Sequence, residues 1–531
     1  MFTLLALSPG SALGQNRTAQ EAVDQPDPLP GLDADIRQLM AELQVPGLAI
    51  AVVKDDEVVV LKGYGVRELG KDARVDEHTV FRLGSTTKAF TAAAVGLLVD
   101  EGKLSWDDPV IQHLPWFRLP DPWVTAQATI RDLLSHRLVG DVGSGIRFLE
   151  RLTSIEREDV LKRLGDLEPG PGRFRSRYQY CNACYSLAGE VVGAVSGTSW
   201  EDFVGDRLMV PLGMNSASTR VHDLWEAEDF APCYTCDLPG RTIGFEDARV
   251  PNVAMPHVSP GFSDDGLRVI PWRDITMYAP AGSISASATD VAKWLRLQLG
   301  GGVYEGERIL SASVVEEMHT GQVIMPAPWY DDLLGPGFGH FWTYGLGWFV
   351  ADYQGRRTSC HSGGGVGFSS FIALVPDENL GVAVVMNSSD SALDAVLVFR
   401  VLNAYLGIPK REWKIDRGGL REWRQARERK LQAERVHGTA PSLPIESYVG
   451  EYWHPAVGTL TLREEEGALV LRFPGDFIGD VAHWHHEVYR MTGRGPERWQ
   501  LFMTFAISEA GQVQEFRMRE LVFRRLRDPS E

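Results

Sequence analysis

Apolar and polar residues are arranged differently at the two ends of the chain and in its middle. Residues 45–65 form two β-branched runs around a Lys-Asp-Asp-Glu turn, a pattern typical of an antiparallel hairpin. The pattern returns at residues 371–386, around a turn that begins at Pro376. Between the hairpins, apolar residues recur at helical spacing in five segments: 87–100, 130–135, 183–195, 200–208 and 289–299. We predict an α+β fold, in which both hairpins share an antiparallel sheet flanked by helices and the helical middle is an insertion beside it.

The sequence pattern of the C-terminal part changes twice, from an apolar helix to a charged segment and then to short alternating runs. A helix is predicted at residues 390–406, because Gly407 and Pro409 follow it. Residues 410–435 contain ten Lys and Arg against five Asp and Glu, which is typical of a solvated connecting helix, broken here only by Gly418 and Gly419. Short alternating runs then indicate a separate small β domain: 459–463, 468–473, 499–505 and 513–518. The predicted units are a tail, a main domain, a charged helical linker and a β domain: 1–31, 32–409, 410–445 and 446–527.

The composition narrows the classes of partner. The 531 residues include 53 Lys and Arg against 71 Asp and Glu, and the resulting net charge of −18 disfavours binding to nucleic acid or to anionic membranes. No stretch after the first residues approaches the roughly 18 consecutive apolar residues of a transmembrane helix, so no membrane span is predicted. The sequence does not decide whether the protein forms oligomers.

The first residues are similar to part of a secretion signal. Residues 2–14 are apolar and rich in small residues, and residues 12–14 resemble a signal cleavage site, but a basic segment is missing. A shortened signal followed by a disordered tail predicts a periplasmic or secreted bacterial protein. An ordinary disordered terminus is the alternative.

Five cysteines form two Cys-x-x-Cys pairs and leave one thiol over. The pairs are Cys181 with Cys184 and Cys233 with Cys236, and Cys360 is the remaining residue. Such pairs occur in zinc sites, redox dithiols and structural disulfides. The 48 residues between the pairs are too many for a compact zinc ribbon, so disulfides or buried thiols are favoured.

A candidate nucleophile lies where a turn enters the apolar segment 87–100. Ser85 and Lys88 are three residues apart and therefore lie on one face of a helix, near its N-terminus. Burial lowers the pKa of a lysine, so an amine held among apolar residues can take the serine proton. Taken alone, the S-x-x-K pattern is weak, because most such pairs are helix caps with a solvated lysine.

Two further patterns strengthen this candidate. Tyr180 and Asn182 lie at the start of another apolar helix, where the phenol could shuttle a proton and the amide could bind a carbonyl. His361, Gly363 and Gly364 lie on a strand before the second hairpin, where glycines leave room for a substrate and backbone N–H groups.

In this order, the three patterns resemble the S-x-x-K, Y-x-N and H-x-G motifs of the penicillin-recognising serine hydrolases, which include class C β-lactamases, DD-peptidases, D-aminopeptidases and related esterases. The resemblance covers roughly residues 33–407 and implies the fold of that family. Further matching segments are 102–110, 132–136, 211–214, 280–282 and 344–348. Residues 446–527 resemble the lipocalin-like domain of some members, which implies a small β-barrel. The histidines at 483, 485 and 486 fit core or surface positions of such a domain better than metal ligands.

The resemblance implies a role for each site residue. Ser85 is the nucleophile, Lys88 its base, and Tyr180 protonates the leaving group and later activates water. The backbone N–H groups of Ser85 and Gly364 form the oxyanion hole. The groups that bind substrate are Asn182, His361 and Gly363, and neither a metal nor a cofactor is implied.

Two departures from the β-lactamase pattern affect the expected substrate. The third motif begins with His361 instead of lysine, which removes much of the fixed positive charge that would face a substrate carboxylate. Cys181 and Cys184 flank Asn182 and place larger, oxidisable groups beside the site. We therefore predict a serine peptidase of the D-aminopeptidase or DD-peptidase type, acting on a small molecule or short peptide. A carboxylesterase, a weak β-lactamase, and a catalytically silent binding or scaffold protein are the alternatives.

Overall fold

The computed structural model describes most of the chain. The described residues are 28–138, 156–168, 173–224, 253–258, 267–270, 272, 275–325, 341–389, 391–409, 417–474, 477–494 and 500–526. The predicted secretion signal at residues 2–14 and the pair Cys233 and Cys236 lie outside these ranges.

An eight-stranded antiparallel sheet forms the centre of the main domain. Its strands are β1 (Gly47–Lys54), β2 (Glu57–Gly65), β3 (Val323–Ile324), β4 (Trp342–Tyr344), β5 (Phe349–Tyr353), β6 (Arg356–Gly365), β7 (Phe368–Val375) and β8 (Leu380–Met386). Their order across the sheet is β2-β1-β8-β7-β6-β5-β4-β3. The two predicted hairpins therefore meet, because β1 pairs with β8 along its length from Leu48 opposite Met386 to Lys54 opposite Leu380. The prediction of one shared sheet is confirmed.

Helices flank this sheet, and most of them form the insertion between β2 and β3. The described helices are, in chain order, α1 (Leu32–Leu43), α2 (Thr87–Asp100), α3 (Val110–His113), α4 (Pro122–Gln127), α5 (Ile130–Leu134), α6 (Arg157–Lys162), α7 (Asn182–Ser196), α8 (Trp200–Val204), α9 (Ala279–Gly282), α10 (Ala288–Leu299), α11 (Ala312–Met318), α12 (Leu393–Tyr405) and α13 (Arg417–Glu434). Of these, α2 to α11 belong to the insertion. The predicted helix 200–208 ends earlier as an α-helix, because residues 205–209 form a π-helical turn. In the charged linker, helix α13 runs through Gly418 and Gly419, which lie in its first turn.

Both faces of the central sheet are covered, which explains why β1 is buried along almost its whole length. Leu48, Ile50 and Val52 belong to a core shared with α1 and α12. Ala49, Ala51 and Val53 point to the opposite face and belong to a second core, shared with α2 and α10. The sheet is thus sandwiched between helices, as the sequence predicts.

The C-terminal β domain is a closed barrel of eight antiparallel strands. Its strands are β9 (Gly450–His454), β10 (Gly458–Glu465), β11 (Ala468–Arg472), β12 (Ile478–His485), β13 (Val488–Gly493), β14 (Gln500–Ile507), β15 (Val513–Met518) and β16 (Leu521–Arg525). The buried rings of Tyr452, Phe505 and Phe516 pack with centroids 4.8 to 6.3 Å apart, so side chains occupy the interior. The barrel contacts the main domain where the buried His454 Nε2 lies 3.2 Å from the carboxylate of Glu168. The predicted β-barrel is confirmed.

Within the described ranges, no helix combines the length and the apolar character that crossing a bilayer requires.

Candidate active site

Ser85 lies at the entrance to helix α2. A 3₁₀ turn at Gly84–Thr86 leads directly into the helix, and almost every residue of α2 is buried. From Phe81 to Phe90, Ser85 alone is half-buried, while its neighbours are fully covered. The positive end of the helix dipole thus lies beside a hydroxyl that a substrate can reach.

Lys88 is fully buried and connects three parts of the site. Its Nζ lies 3.1 Å from Ser85 Oγ, 2.9 Å from Asn182 Oδ1 and 2.8 Å from the carbonyl oxygen of Ala281. A neutral amine has two N–H donors and one lone pair. In this neutral form, Asn182 Oδ1 and the Ala281 carbonyl, which can only accept, would take the two N–H bonds and leave the lone pair for the Ser85 hydroxyl. Such an arrangement would allow the amine to accept the proton of the serine hydroxyl.

Tyr180 covers Lys88 from another side. Lys88 Nζ lies 4.6 Å from the centroid of the Tyr180 ring. The Tyr180 to Asn182 segment leads into helix α7, and Cys181 caps that helix by accepting the N–H of Cys184 on its sulfur. Cys181 and Cys184 also form a disulfide, so this pair is not a zinc site.

Glycines allow the Ser85 turn to lie directly against strand β6. Gly84 has a φ of +57°, and a Cβ on it would lie 2.8 Å from both the N and the O of Gly364. A Cβ on Gly363 would lie 1.8 Å from the carbonyl oxygen of Leu83 and 2.2 Å from Ser370 Oγ. By contrast, no described atom lies within 4 Å of a Cβ on Gly364. Gly363 thus serves close packing beneath the turn, whereas Gly364 borders open space beside Ser85.

We expect Gly363→Ala to destabilise the protein by about 3 kcal/mol or more, because the methyl group would overlap backbone atoms that cannot move independently. Gly364→Ala is the matched control, since its methyl group meets open space. We expect its free energy of unfolding to stay within about 1 kcal/mol of wild type. Urea unfolding of both variants measures the difference. Equal losses in the two variants would contradict the close packing of Gly363 against Leu83.

His361 lies under the site and is almost fully buried, with 1% of its surface exposed. Its Nδ1 lies 2.7 Å from the carbonyl oxygen of Ser362, so Nδ1 carries the proton and donates it. Its Nε2 lies 3.0 Å from the hydroxyl of Tyr344 and therefore accepts the phenol hydrogen. Burial, and secondarily the charge of Lys88, lowers the pKa of His361 to about 3. The imidazole is therefore neutral at neutral pH.

The structure thus brings Ser85, Lys88, Tyr180, Asn182 and Gly364 into one cluster. His361 lies at its inner side, where its ring centroid is 6.4 Å from that of Tyr180. Sequence reasoning missed the Ala281 carbonyl, because a backbone oxygen has no signature in the residue type. Residues 280–282 stood out only through the family resemblance.

A metal site requires several ligating side chains in one place. Among the residues that the structure describes, no group of three or more His, Cys, Asp or Glu side chains is arranged to hold a metal ion. The histidines of residues 483–486 are separately engaged. His483 Nε2 donates to the carbonyl oxygen of His486, and His485 Nδ1 accepts the N–H of Val436.

Comparisons with known proteins agree with this architecture. Residues 32–405 match the family model described as Beta-lactamase, and residues 434–528 match a domain of unknown function, DUF3471. The chain is 28% identical to the unguisins hydrolase of Aspergillus violaceofuscus over 82% of this chain and 76% of that protein. It is 30% identical to penicillin-binding protein 4 of Amycolatopsis lactamdurans over 68% of this chain and 86% of that protein.

Solved structures share the fold. The octameric penicillin-binding protein homologue from Pyrococcus abyssi aligns with a TM-score of 0.56 at 23% identity, covering 93% of this chain and 99% of that one. The matched family model spans the central sheet, its helices and every residue of the Ser85 cluster. This chain belongs to the beta-lactamase family.

Proposed function

We propose that this protein is a serine hydrolase that acts through an acyl-enzyme on peptide, amide or ester substrates. Within that class we favour a peptidase of the D-aminopeptidase or DD-peptidase type. The observation that carries the proposal is the position of Lys88 Nζ, 3.1 Å from Ser85 Oγ and held by Asn182 and the Ala281 carbonyl. Two relatives named as a hydrolase and a penicillin-binding protein support the same class.

In the acylation step, Ser85 Oγ forms a bond to the substrate carbonyl carbon while its proton moves to the lone pair of Lys88 Nζ. The negative charge that develops on the carbonyl oxygen is stabilised by the backbone N–H groups of Ser85 and Gly364. The bond to the leaving amine or alcohol then breaks, and Tyr180 supplies the proton that the leaving group needs.

In the deacylation step, Tyr180 takes a proton from water, and the resulting hydroxide attacks the acyl carbon. The bond to Ser85 Oγ then breaks, and Ser85 Oγ takes back the proton that Lys88 Nζ has held since acylation. Asn182 orients the substrate during both steps. Its Oδ1 is occupied by Lys88, which leaves the Nδ2 donors for a carbonyl group of the substrate.

Within the favoured class, the neutral state of His361 supports a substrate of the D-aminopeptidase type, without a carboxylate next to the scissile bond, over one of the DD-peptidase type. A lysine at this position would offer a fixed positive charge, whereas the His361 imidazole has a pKa lowered to about 3 by burial and by Lys88. The hydrogen bond between Nε2 and Tyr344 also keeps the ring turned into the protein. We therefore expect the acyl donor to be bound through its carbonyl and amide groups and not through an ion pair at this strand.

A substrate panel tests the proposal. A short-chain chromogenic ester and a D-alanine anilide should be hydrolysed with a kcat/KM at least about tenfold above that of a chromogenic cephalosporin, which carries a carboxylate. The ranking should be the same at about pH 6 and about pH 8, because His361 stays neutral in that range. A cephalosporin turned over fastest would contradict the proposed substrate class and favour a β-lactamase.

We further propose that the protein works in a periplasmic or secreted environment. The disulfide between Cys181 and Cys184 supports this location, because disulfides persist in oxidising compartments. The apolar, small-residue-rich residues 2–14 support it independently.

A further inference from the structure

His136 is a buried histidine next to the active site with an unusual backbone conformation. It follows helix α5, none of its surface is exposed, and its φ is +58°, in the left-handed region that most residues avoid. Its ring centroid lies 4.4 Å from that of Tyr180. Residues held in sparsely populated conformations cluster at functional sites, so the conformation of His136 calls for a physical reason.

The hydrogen bonds of His136 supply that reason. Its carbonyl oxygen accepts the N–H of Gln179 at 2.8 Å, and its Nδ1 accepts the N–H of Cys181 at 3.1 Å. One residue thus holds the peptide N–H groups on both sides of Tyr180. In this left-handed conformation, the carbonyl and the ring of His136 both face the segment 179–181. We call these two hydrogen bonds, from the N–H groups of Gln179 and Cys181 to His136, the His136 clamp.

The helix that precedes His136 is held in place by several hydrogen bonds. Helix α5 begins with a capping box between Thr129 and Asp132, and the hydroxyl of Tyr185 donates to the carbonyl oxygen of Leu134 at 2.5 Å. Asp132 is fully buried and also accepts from Arg175 at 2.6 Å. A rigid base of this kind lets His136 transmit a fixed position to Tyr180.

Within the described part of the chain, one ring nitrogen of His136 is buried without a hydrogen-bond partner, which carries an energetic cost. Because Nδ1 accepts a hydrogen bond, the neutral ring carries its proton on Nε2. Among the described residues, this Nε2 is buried without a hydrogen-bond partner, surrounded by the rings of Tyr178, Tyr185 and Tyr344. Burial is the main cause that keeps the pKa of His136 well below its usual value, so the ring stays neutral. A buried donor without a partner is unfavourable, and packing alone does not explain a histidine here.

We propose that His136 is a positioning residue that fixes Tyr180 against Lys88 and Ser85 by accepting the Cys181 N–H. This inference rests on the proposed function, in which Tyr180 transfers protons. A phenol that moves by about 1 Å loses its alignment with the leaving group, and such a displacement costs up to about 100-fold in rate. The effect should fall on kcat, because His136 itself does not touch the substrate.

Two substitutions by amide residues test whether the hydrogen-bond acceptor for the Cys181 N–H matters, because both remove the imidazole ring but only one keeps an acceptor in place. His136→Asn places a carbonyl oxygen near the position of Nδ1 and tolerates the left-handed conformation. His136→Gln carries the same amide one bond further, where it cannot reach the Cys181 N–H. His319→Gln is the matched control, because His319 is also buried but bonds to Gln298 and stacks on Trp348, without contact to Tyr180.

The variants are compared with the full-length enzyme on a neutral chromogenic ester and by amide hydrogen exchange of the segment 179–182. We expect His136→Gln to lower kcat about 10- to 100-fold with KM within about threefold, and to accelerate exchange in this segment. His136→Asn should stay within about threefold of wild type in kcat, and His319→Gln should leave both readouts unchanged. If the Gln variant does not fold, His136→Ala provides the second variant without an acceptor.

The possible results distinguish a failure of the His136 clamp from a failure of the proposed function. Equal kcat losses in the Asn and Gln variants, or wild-type kcat and exchange in the Gln variant, would overturn the positioning role. If wild type shows no Ser85-dependent turnover while the Gln variant still exchanges faster at residues 179–182, the hydrogen-bond clamp stands and the proposed function fails.

Discussion

Replacing Ser85 with alanine is expected to lower kcat/KM for ester and amide hydrolysis by at least about 10⁴-fold. The Ser85 hydroxyl lies 3.1 Å from the buried Lys88 amine on a half-buried residue, and under the proposed function it is the group that forms the acyl-enzyme. Alanine removes the nucleophile and leaves the oxyanion donors and the fold in place. Initial rates and the intact mass of the protein after treatment with a fluorophosphonate probe measure the effect, and only wild type should gain the mass of the probe.

Ser196→Ala is the matched control for this substitution. Ser196 ends helix α7, and its hydroxyl donates to the carbonyl oxygen of Thr198 and accepts the N–H of the same residue. This variant should retain the activity of wild type. A Ser85→Ala enzyme with more than about a tenth of wild-type activity would show that another nucleophile acts. If wild type folds but neither labels nor turns over substrate, the catalytically silent binding protein becomes the better interpretation.

Replacing Lys88 with methionine is expected to slow acylation by about 10³-fold or more, because the proton of Ser85 then has no acceptor within reach. Methionine keeps most of the volume of the lysine stem, so the buried helix α2 should remain packed. The free energy of unfolding should change little or increase, since a buried amine is costly to desolvate. Rapid-mixing measurements of acyl-enzyme formation and thermal unfolding test both parts of the prediction.

Lys293→Met provides the control for the loss of a lysine amine. Lys293 lies on helix α10, and its Nζ donates to the backbone carbonyl of Gly213 instead of contacting a serine. Its acylation rate should equal that of wild type. The double variant Ser85→Ala, Lys88→Met should be no less active than Ser85→Ala alone, because the two residues act as one unit. Additive losses would indicate that Lys88 acts separately from Ser85.

Local patterns predicted most of the regular structure. Helix α2 was predicted at 87–100 and lies at Thr87–Asp100. It has apolar residues on all sides, which is typical of a fully buried helix. The two hairpins were predicted from β-branched runs and turn residues, and their pairing across the sheet was confirmed. In the barrel, the strands β9, β12, β13 and β16 were not specified, since short strands with mixed alternation give weak signals.

Some site residues are close together because they are neighbours in the sequence, and others because the fold brings distant segments together. Ser85 and Lys88 share a helix face because of their spacing, so their proximity follows from local geometry. Asn182 reaches the same amine across 94 residues, and only the family resemblance connected it to Lys88. The Ala281 carbonyl and the His136 clamp involve backbone atoms or a residue without a motif of its own, and therefore could not be read from residue types.

By itself, the sequence determined the α+β architecture, the hairpins, the C-terminal β domain and the pairing of Ser85 with Lys88, because these follow from periodicity and near-neighbour geometry. The tertiary structure alone decided the burial of His361 that lowers its pKa, the close packing of Gly363 beneath Leu83, and the hydrogen bonds that His136 accepts from the residues on both sides of Tyr180. These properties arise where distant segments exclude water and exchange hydrogen bonds. The pKa values of buried groups and the identity of their hydrogen-bond partners depend on this burial between distant segments and not on the order of residues along the chain.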